Sequence, residues 1–364
     1  MKKSRASRSL RVGRSRHPAS RDTSASLRVM MLVHVTLVPP DDLHAADDPR
    51  MEQYRTEYDV KQALLALGHE VRVVGVYDDL APVRKTIEEW KPHIAFNLAE
   101  DFAGVSAFDY YMVSYLAMMK IPFTGCNPRG LLLARDKALS KKLLAYHRIA
   151  VPEFAVFPFG RPVRPPRSLR YPVIVKSLTE EGSVGIAQAS YVENADQLRE
   201  RVTLIHEKFQ GDAIAEQYID GRELYVTVLG NNQLKVLPIR ELAFRHAAEG
   251  APRMATYKVK WDPKYRERWG IDYQFATDLP DGVAERVVKL CKRIYRILEL
   301  SGYARIDLRL TPQGELYVLE ANPNPGIARD EDSTLSAKKA GIGYKDFIQL
   351  ILQYGLRAHA RAAE

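Results

Sequence analysis

The sequence predicts an α/β chain that opens with a small doubly wound parallel sheet. Two observations point to it. Residues 28–98 alternate strand-like and helix-like segments at short spacing, and residues 284–322 pass from the cleanest helical stripe in the chain to a strictly alternating hairpin pattern.

Residues 28–37 (RVMMLVHVTL) read as a buried strand stopped by Pro39-Pro40. A helix over 51–67 ends at Gly68, 71–76 is a second strand, 83–90 a second helix, and 94–98, after Pro92, a third strand. Such strand–helix–strand units make parallel crossovers. A helix over 109–119 precedes 121–124, and the first domain closes near residues 127–130. Next come a helix over 136–147, a proline-punctuated linker over 157–166, a strand over 171–176 and a loop over 177–185. A strand over 186–191, a helix over 195–209 and strands over 213–218 and 223–230 follow.

Residues 284–300 place Val287, Val288, Cys291, Ile294, Tyr295 and Leu298 on one stripe. Between 304 and 310, Arg305, Asp307 and Arg309 interleave with Ile306, Leu308 and Leu310. After the turn Thr311-Pro312-Gln313-Gly314 the alternation resumes as LYVLEAN. A closing helix over 344–356 buries Tyr344, Phe347, Ile348, Ile351 and Leu352. The expected divisions are a disordered tail (1–27), an N-terminal α/β domain (28–130), a central subdomain (131–222), a C-terminal subdomain with the metal site (223–357) and a short tail (358–364).

Composition narrows the function classes. Of the net charge of +9, the first 27 residues supply +7, eight basic side chains against Asp22, and the rest only +2. The folded body is nearly neutral, so a nucleic-acid role would rest on the Arg/Ser-rich tail alone. Cys126 and Cys291 are too few and too far apart for a disulfide framework or a cysteine-built zinc site, which fits a reducing cytoplasm. No apolar run approaches the ~20 residues of a membrane span, and the basic start is followed by no signal-peptide core.

The chemistry concentrates in the hairpin. If its loop holds an even number of residues, Asp307 and Glu320 share a face with Arg305 and Asn322, an oxygen-donor set for a hard cation such as Mg²⁺. The turn Asn322-Pro323-Asn324-Pro325-Gly326 follows directly. Between Lys176 and the next strand, Thr179–Gly185 carries two glycines that let backbone amides approach an anion. Glu216 and Glu223 lie seven apart across a turn, within reach of a ribose and a base edge. Each feature also has a bland reading as an ordinary charged surface.

Taken in order, Asp136-Lys137, PVIVK ending at Lys176, EEGSVG, AEQYIDGREL, YKVKW, ARIDLRL and LEANPNPG resemble the ATP-grasp superfamily, its D-alanine–D-alanine ligase branch most closely, over residues 94–355. The resemblance implies an ATP-grasp fold behind the doubly wound domain, with ATP between the central and C-terminal subdomains. It implies that Lys137 and Lys176 neutralise phosphates, that Gly182, Ser183, Val184 and Gly185 close over them, that Glu216 reads the adenine edge and that Glu223 reads the ribose. It further implies that Asp307, Glu320 and Asn322 hold two Mg²⁺ ions, with Mn²⁺ as an alternative, and that Lys260 folds over the γ-phosphate. Arg305 and the Gly326 amide would stabilise an oxyanion as a small-molecule carboxylate, activated as an acyl phosphate, is attacked by an amine. A homodimer through the N-terminal domain is the family's usual assembly.

The chain departs from the family where substrates bind. HVTLVPPDDL lacks the glycine-rich turn whose glutamate holds the donor amino group, residues 97–104 replace a His-Gly-rich segment, and Gly182 replaces a loop serine. Glu331 stands where a serine that grips the acceptor carboxylate is expected. The nucleotide half is kept and the amino-acid half rewritten. The favoured expectation is therefore a carboxylate–amine ligase acting on an amino acid or small peptide. A true D-alanine–D-alanine ligase and a nucleotide-binding pseudoenzyme with a nucleic-acid-binding tail are the alternatives.

Overall fold

The computed structural model describes residues 26–43, 48–180, 185–246 and 252–362, arranged as three sheets with helices on their faces. The basic tail expected over 1–27 lies almost wholly outside the described residues.

The first sheet is built from β1 (Arg28–His34), β2 (Glu70–Val76) and β3 (Ile94–Asn97), in the order β2-β1-β3 and parallel throughout, with α1 (Met51–Ala66) and α2 (Ala81–Trp90) in the crossovers. Alternation along β1 explains the double winding. Met30 and Leu32 pack with Val83 and Ile87 of α2 and Met112 and Leu116 of α3 (Asp109–Met118). Val29, Met31 and Val33 face the other way, onto Val60 and Leu64 of α1. β1 is shorter than expected, because residues 35–37 turn into a 3₁₀ segment capped by the His34 ring. Residues 121–124 contribute only a single bridge, Phe123 beside Ala95. α4 (Pro128–Arg135), not anticipated, and α5 (Lys137–Tyr146) lead out, α5 capped by the Asp136 carboxylate on two amides.

The second sheet is antiparallel, in the order β4-β7-β5-β6, from β4 (Phe154–Phe157), β5 (Val173–Ser177), β6 (Tyr191–Val192) and β7 (Ala213–Gln217), with α6 (Ala195–Phe209) across it. The strand expected over 186–191 shrinks to two residues, since residues 188–190 form a 3₁₀ turn.

The third sheet runs β11-β10-β8-β12-β13, with β9 on β8. Its strands are β8 (Arg222–Leu229), β9 (Lys235–Val236), β10 (Arg240–Phe244), β11 (Ile271–Phe275), β12 (Tyr303–Leu310) and β13 (Leu316–Pro323). α7 (Tyr257–Trp261) and α8 (Pro263–Trp269) precede β11, and α9 (Val283–Ile297) backs the sheet. Val287, Cys291 and Ile294 of α9 bury against Leu224, Val226, Ile306 and Leu308, each large side chain contributing roughly 1.5–3 kcal/mol. That leaves the opposite face of β8 and β12 to polar residues. α10 (Asp332–Lys339) and α11 (Tyr344–Ala362) close the chain, and Phe347, Ile348, Ile351 and Leu352 join the cluster of Val29, Met31 and Val33. α11 thereby ties the third sheet to the first.

The hairpin is not the regular ladder expected. Leu310, Arg309 and Leu308 pair with Leu316, Tyr317 and Val318, but Asp307 pairs with Glu320 and Arg305 with Asn322, so Leu319 is the extra residue of a β-bulge. The five-residue connection 311–315 has the wrong parity for the site, and the bulge corrects it. Alternation in LYVLEAN is broken accordingly, with Val318 and Ala321 both buried in the core. Among the described residues no helix is long and apolar enough to cross a membrane, and both cysteines are free and buried.

Candidate active site

β5, β7, β8 and the hairpin enclose a cavity of about 90 Å³ lined by Lys137, Lys176, Glu216, Glu223, Lys260, Asp307 and Glu320, with Ile174, Tyr218, Ile219 and Met254 as apolar walls. Seven residues expected to act together from separate parts of the sequence thus share one space.

Glu216, on β7, lies 3.1 Å from Lys176 Nζ and 3.3 Å from Lys141 Nζ, with both lysines buried. Burial opposes the Glu216 charge, but the two lysines hold its carboxyl below the usual range. Burial pushes Lys141 down to about 8, with Glu216 opposing, whereas for Lys176 the pull of Glu216 and Glu320 outweighs burial and raises it. Lys141 donates to the Leu319 carbonyl at the bulge. It is misaligned for a hydrogen bond to Glu216, whose buried Oε1 has no hydrogen-bond donor. That acceptor would suit a ligand amino group.

Glu223 accepts one hydrogen bond on each oxygen, from Tyr225 Oη at 2.8 Å and from Arg309 Nη2 at 2.9 Å, which leaves further lone pairs open. Lys137 Nζ donates to the Glu180 carbonyl at 2.6 Å, which draws it to the edge of the 181–184 segment. Gly182, Ser183 and Val184 lie outside the described residues. Gly185 has φ +77° and a Cβ there would stand 2.7 Å from the Phe209 ring, so this glycine is required for packing on α6, and it does not line the cavity.

At the bulge, Arg305 grips Asp307 through two hydrogen bonds, Nε at 2.8 Å and Nη2 at 2.9 Å, and stacks 5.0 Å from the Tyr225 ring centroid. Asn322 Nδ2 donates to Asp307 at 3.1 Å and to Glu320 at 3.4 Å. Burial lifts the Asp307 carboxyl to about 6 against the pull of Arg305. Burial acts on Glu320 too, but Lys137, Lys176, Lys260 and Arg305 overcome it and hold the carboxyl well below the usual range. Two carboxylates and one amide form a hard-oxygen set. Among the described residues no group of three or more His, Cys, Asp or Glu is placed to hold a metal ion. The protein therefore offers a partial shell, as suits Mg²⁺ that shares its coordination with phosphate oxygens and water.

Against this geometry the comparisons are decisive. A family model described as D-ala D-ala ligase C-terminus matches residues 149–353. The chain belongs to the D-alanine–D-alanine ligase family. A D-alanine–D-alanine ligase of Desulforudis audaxviator is 30% identical over 80% of this chain and 89% of its own length. An uncharacterized protein, y4sG, of Sinorhizobium fredii is 33% identical over 73% and 75%. The solved D-alanine–D-alanine ligase of Bacillus anthracis complexed with ATP superimposes with a TM-score of 0.70 at 21% identity, covering 93% of this chain and all of its own, and so shares the ATP-grasp fold. As a D-alanine–D-alanine ligase-like protein, the chain is an ATP-dependent ligase that forms carbon–nitrogen bonds.

A second cavity of about 350 Å³ runs from α1 to the residues after β13, lined by His34, Glu52, Arg55, Glu57, Glu100, Asp101, Tyr303 and Gly326 among others. Asn324, at φ +50°, pins the Gly326 loop by accepting the Cys126 amide at 2.7 Å. Gly326 thus opens onto this second cavity, and Arg305 and Asn322 join the first through Asp307. Sequence reasoning missed Lys141 and Arg309 as site residues. Lys141 is one helical turn from Lys137, and Arg309 alternates with Asp307, so both signals were periodic.

Proposed function

We propose that the chain couples a small-molecule carboxylate to an amine at the junction of the two cavities. Support comes foremost from the convergence of Lys137, Lys176 and Lys260 with Glu320 and Asp307 in one cavity whose buried Glu216 Oε1 awaits a donor. In this reading ATP is a substrate. Its adenine amino group meets Glu216, its ribose lies at Glu223 and its phosphates lie among the three lysines. Asp307, Glu320 and Asn322, the last turning its amide oxygen inward, would hold Mg²⁺, which when bound neutralises charge on the phosphate oxygens.

The donor carboxylate attacks the γ-phosphorus to give an acyl phosphate and ADP, a transfer driven by positioning and charge neutralisation. An amine then attacks the acyl carbon and phosphate leaves. Arg305, fixed by Asp307 and Tyr225, and the Gly326 amide stabilise the negative oxygen of the tetrahedral intermediate. The buried free thiols support a reducing, cytoplasmic setting.

The test is Mg²⁺-dependent phosphate release from ATP with a panel of amino acids, D-alanine included, as carboxylates, paired with amino acids, amino-acid amides and diamines as amines, and products identified by mass spectrometry. Amine-dependent release with an amide product is expected. ATP bound without release under any pairing would refute the ligase assignment of these residues.

A further inference from the structure

The larger cavity carries an electrostatic signature that the ligase reading leaves unused. Among the described residues four acidic side chains line it, Glu52, Glu57, Glu100 and Asp101, with Arg55 and His34 as the basic ones. Arg55 is already engaged, donating to Glu52 and, at 3.2 Å, to Asp330. Glu57 is the decisive member. It is only 6% exposed, it lines the cavity from α1, and among the described residues its carboxylate has no ion pair and no hydrogen bond to another residue. A buried carboxylate without a partner is costly, and one facing a cavity is relieved by a cation entering it.

Behind the cavity wall, a further carboxylate, Glu331, packs on Gly326, which lines the cavity. A Cβ on Gly326 would stand 3.0 Å from Glu331 Cδ and 3.2 Å from Oε1, so this carboxyl packs on the glycine whose amide faces the reaction. Glu331 forms no ion pair among the described residues, and Asp330 and Asp332 flank it. Arg305, whose charge reaches Glu331, is committed to Asp307. A substrate carrying a free carboxylate beside its amine would meet like charge inside the cavity and from Glu331 behind Gly326.

We propose that the amine substrate of this ligase is a cation that bears no carboxylate next to its nitrogen, with Glu57 and Glu331 as the receptors of its positive charge. The inference rests on the ligase reading and names the class of its nucleophile. Amino-acid amides and alkyl diamines belong to that class, and free α-amino acids do not.

The experiment is calorimetric titration of the full chain, with Mg²⁺ and ADP present, using alaninamide, 1,4-diaminobutane and alanine, each chiral probe in both enantiomers. Alaninamide or the diamine binds at least about ten-fold more tightly than alanine, the worth of one charge-assisted contact. Glu57→Gln and Glu331→Gln each weaken that binding by about ten-fold or more while ADP affinity stays unchanged. Glu57→Gln should at the same time melt at a higher temperature, which separates lost recognition from lost folding. Equal or tighter binding of alanine, no binding of either cation, or wild-type cation affinity in either variant overturns the proposal. Failure of the wild-type chain to bind ADP would instead strike the ligase reading itself.

Discussion

Replacing Glu57 by Gln should stabilise the fold in a manner set by pH. Burial raises the Glu57 carboxyl from its ordinary 4.5 to about 7, with only its own backbone amide opposing. The folded chain therefore retains a proton that the unfolded chain has released between those values, and the sign follows from linkage. Stability contributed at this site is intact below about pH 4.5, falls as pH rises through the window and levels off above about pH 7. At roughly 1.4 kcal/mol for each pH interval of one, the full loss is ~3 kcal/mol. Gln fills the same volume without a charge to bury. Urea unfolding of both proteins from pH 4.5 to 8, followed by circular dichroism, should show curves that nearly coincide at the acid end and separate by ~3 kcal/mol in favour of Glu57→Gln by pH 7.5. A separation independent of pH would refute the reasoning, because it would mean that Glu57 is not the titrating group or that the cavity solvates it fully.

Other perturbations test the nucleotide half. Glu216→Gln leaves Lys141 and Lys176 buried without their carboxylate and should cost about 3–5 kcal/mol in urea unfolding, a loss under about 1 kcal/mol being incompatible with the packing described. Asp307→Asn and Glu320→Gln should each abolish Mg²⁺-dependent turnover, and Asp307→Asn should also destabilise the fold because it strands the largely buried Arg305; comparable turnover in both would remove the metal assignment. Arg305→Ala should retain ADP affinity and lose product formation, and a large rise in the ADP dissociation constant would make Arg305 a binding residue instead.

The sequence revealed most where one periodicity ran uninterrupted. The stripe of α9 and the strand–helix alternation of residues 28–98 survived almost residue for residue, because each buries a single continuous face. Legibility failed for β4, β10 and β11, short strands that owe their existence to edge pairing, and for α4, although its Asn127 cap and Pro128 are a local signal. β4, for example, exists only because β7 offers it an edge. In the site, residue types and order were readable, but pairings were not. Nothing local says that Glu216 sits between Lys141 and Lys176, or that Arg309 occupies Glu223. Gly185 illustrates a different ambiguity. A flexible anion loop and a packing requirement use the same residue, and Gly185 answers to the Phe209 ring.

The hairpin shows why such details decide function. Its core demands that Val318 and Ala321 point the same way, onto α9 and its neighbours, while the site demands that Glu320 and Asn322 both face Asp307 and Arg305. A regular strand cannot do this, since residues three apart lie on opposite faces. One extra residue, Leu319, resolves the conflict and restores alternation beyond it. The same irregularity releases the Leu319 carbonyl from the ladder, and Lys141 takes it. Lys141 then stands 3.3 Å from Glu216, so a single bulge both brings Asp307, Glu320 and Asn322 together and helps place Glu216 in the smaller cavity. The proposed metal and base ends of the site are therefore coupled through one backbone feature, and a strand without it would keep the core and separate these side chains.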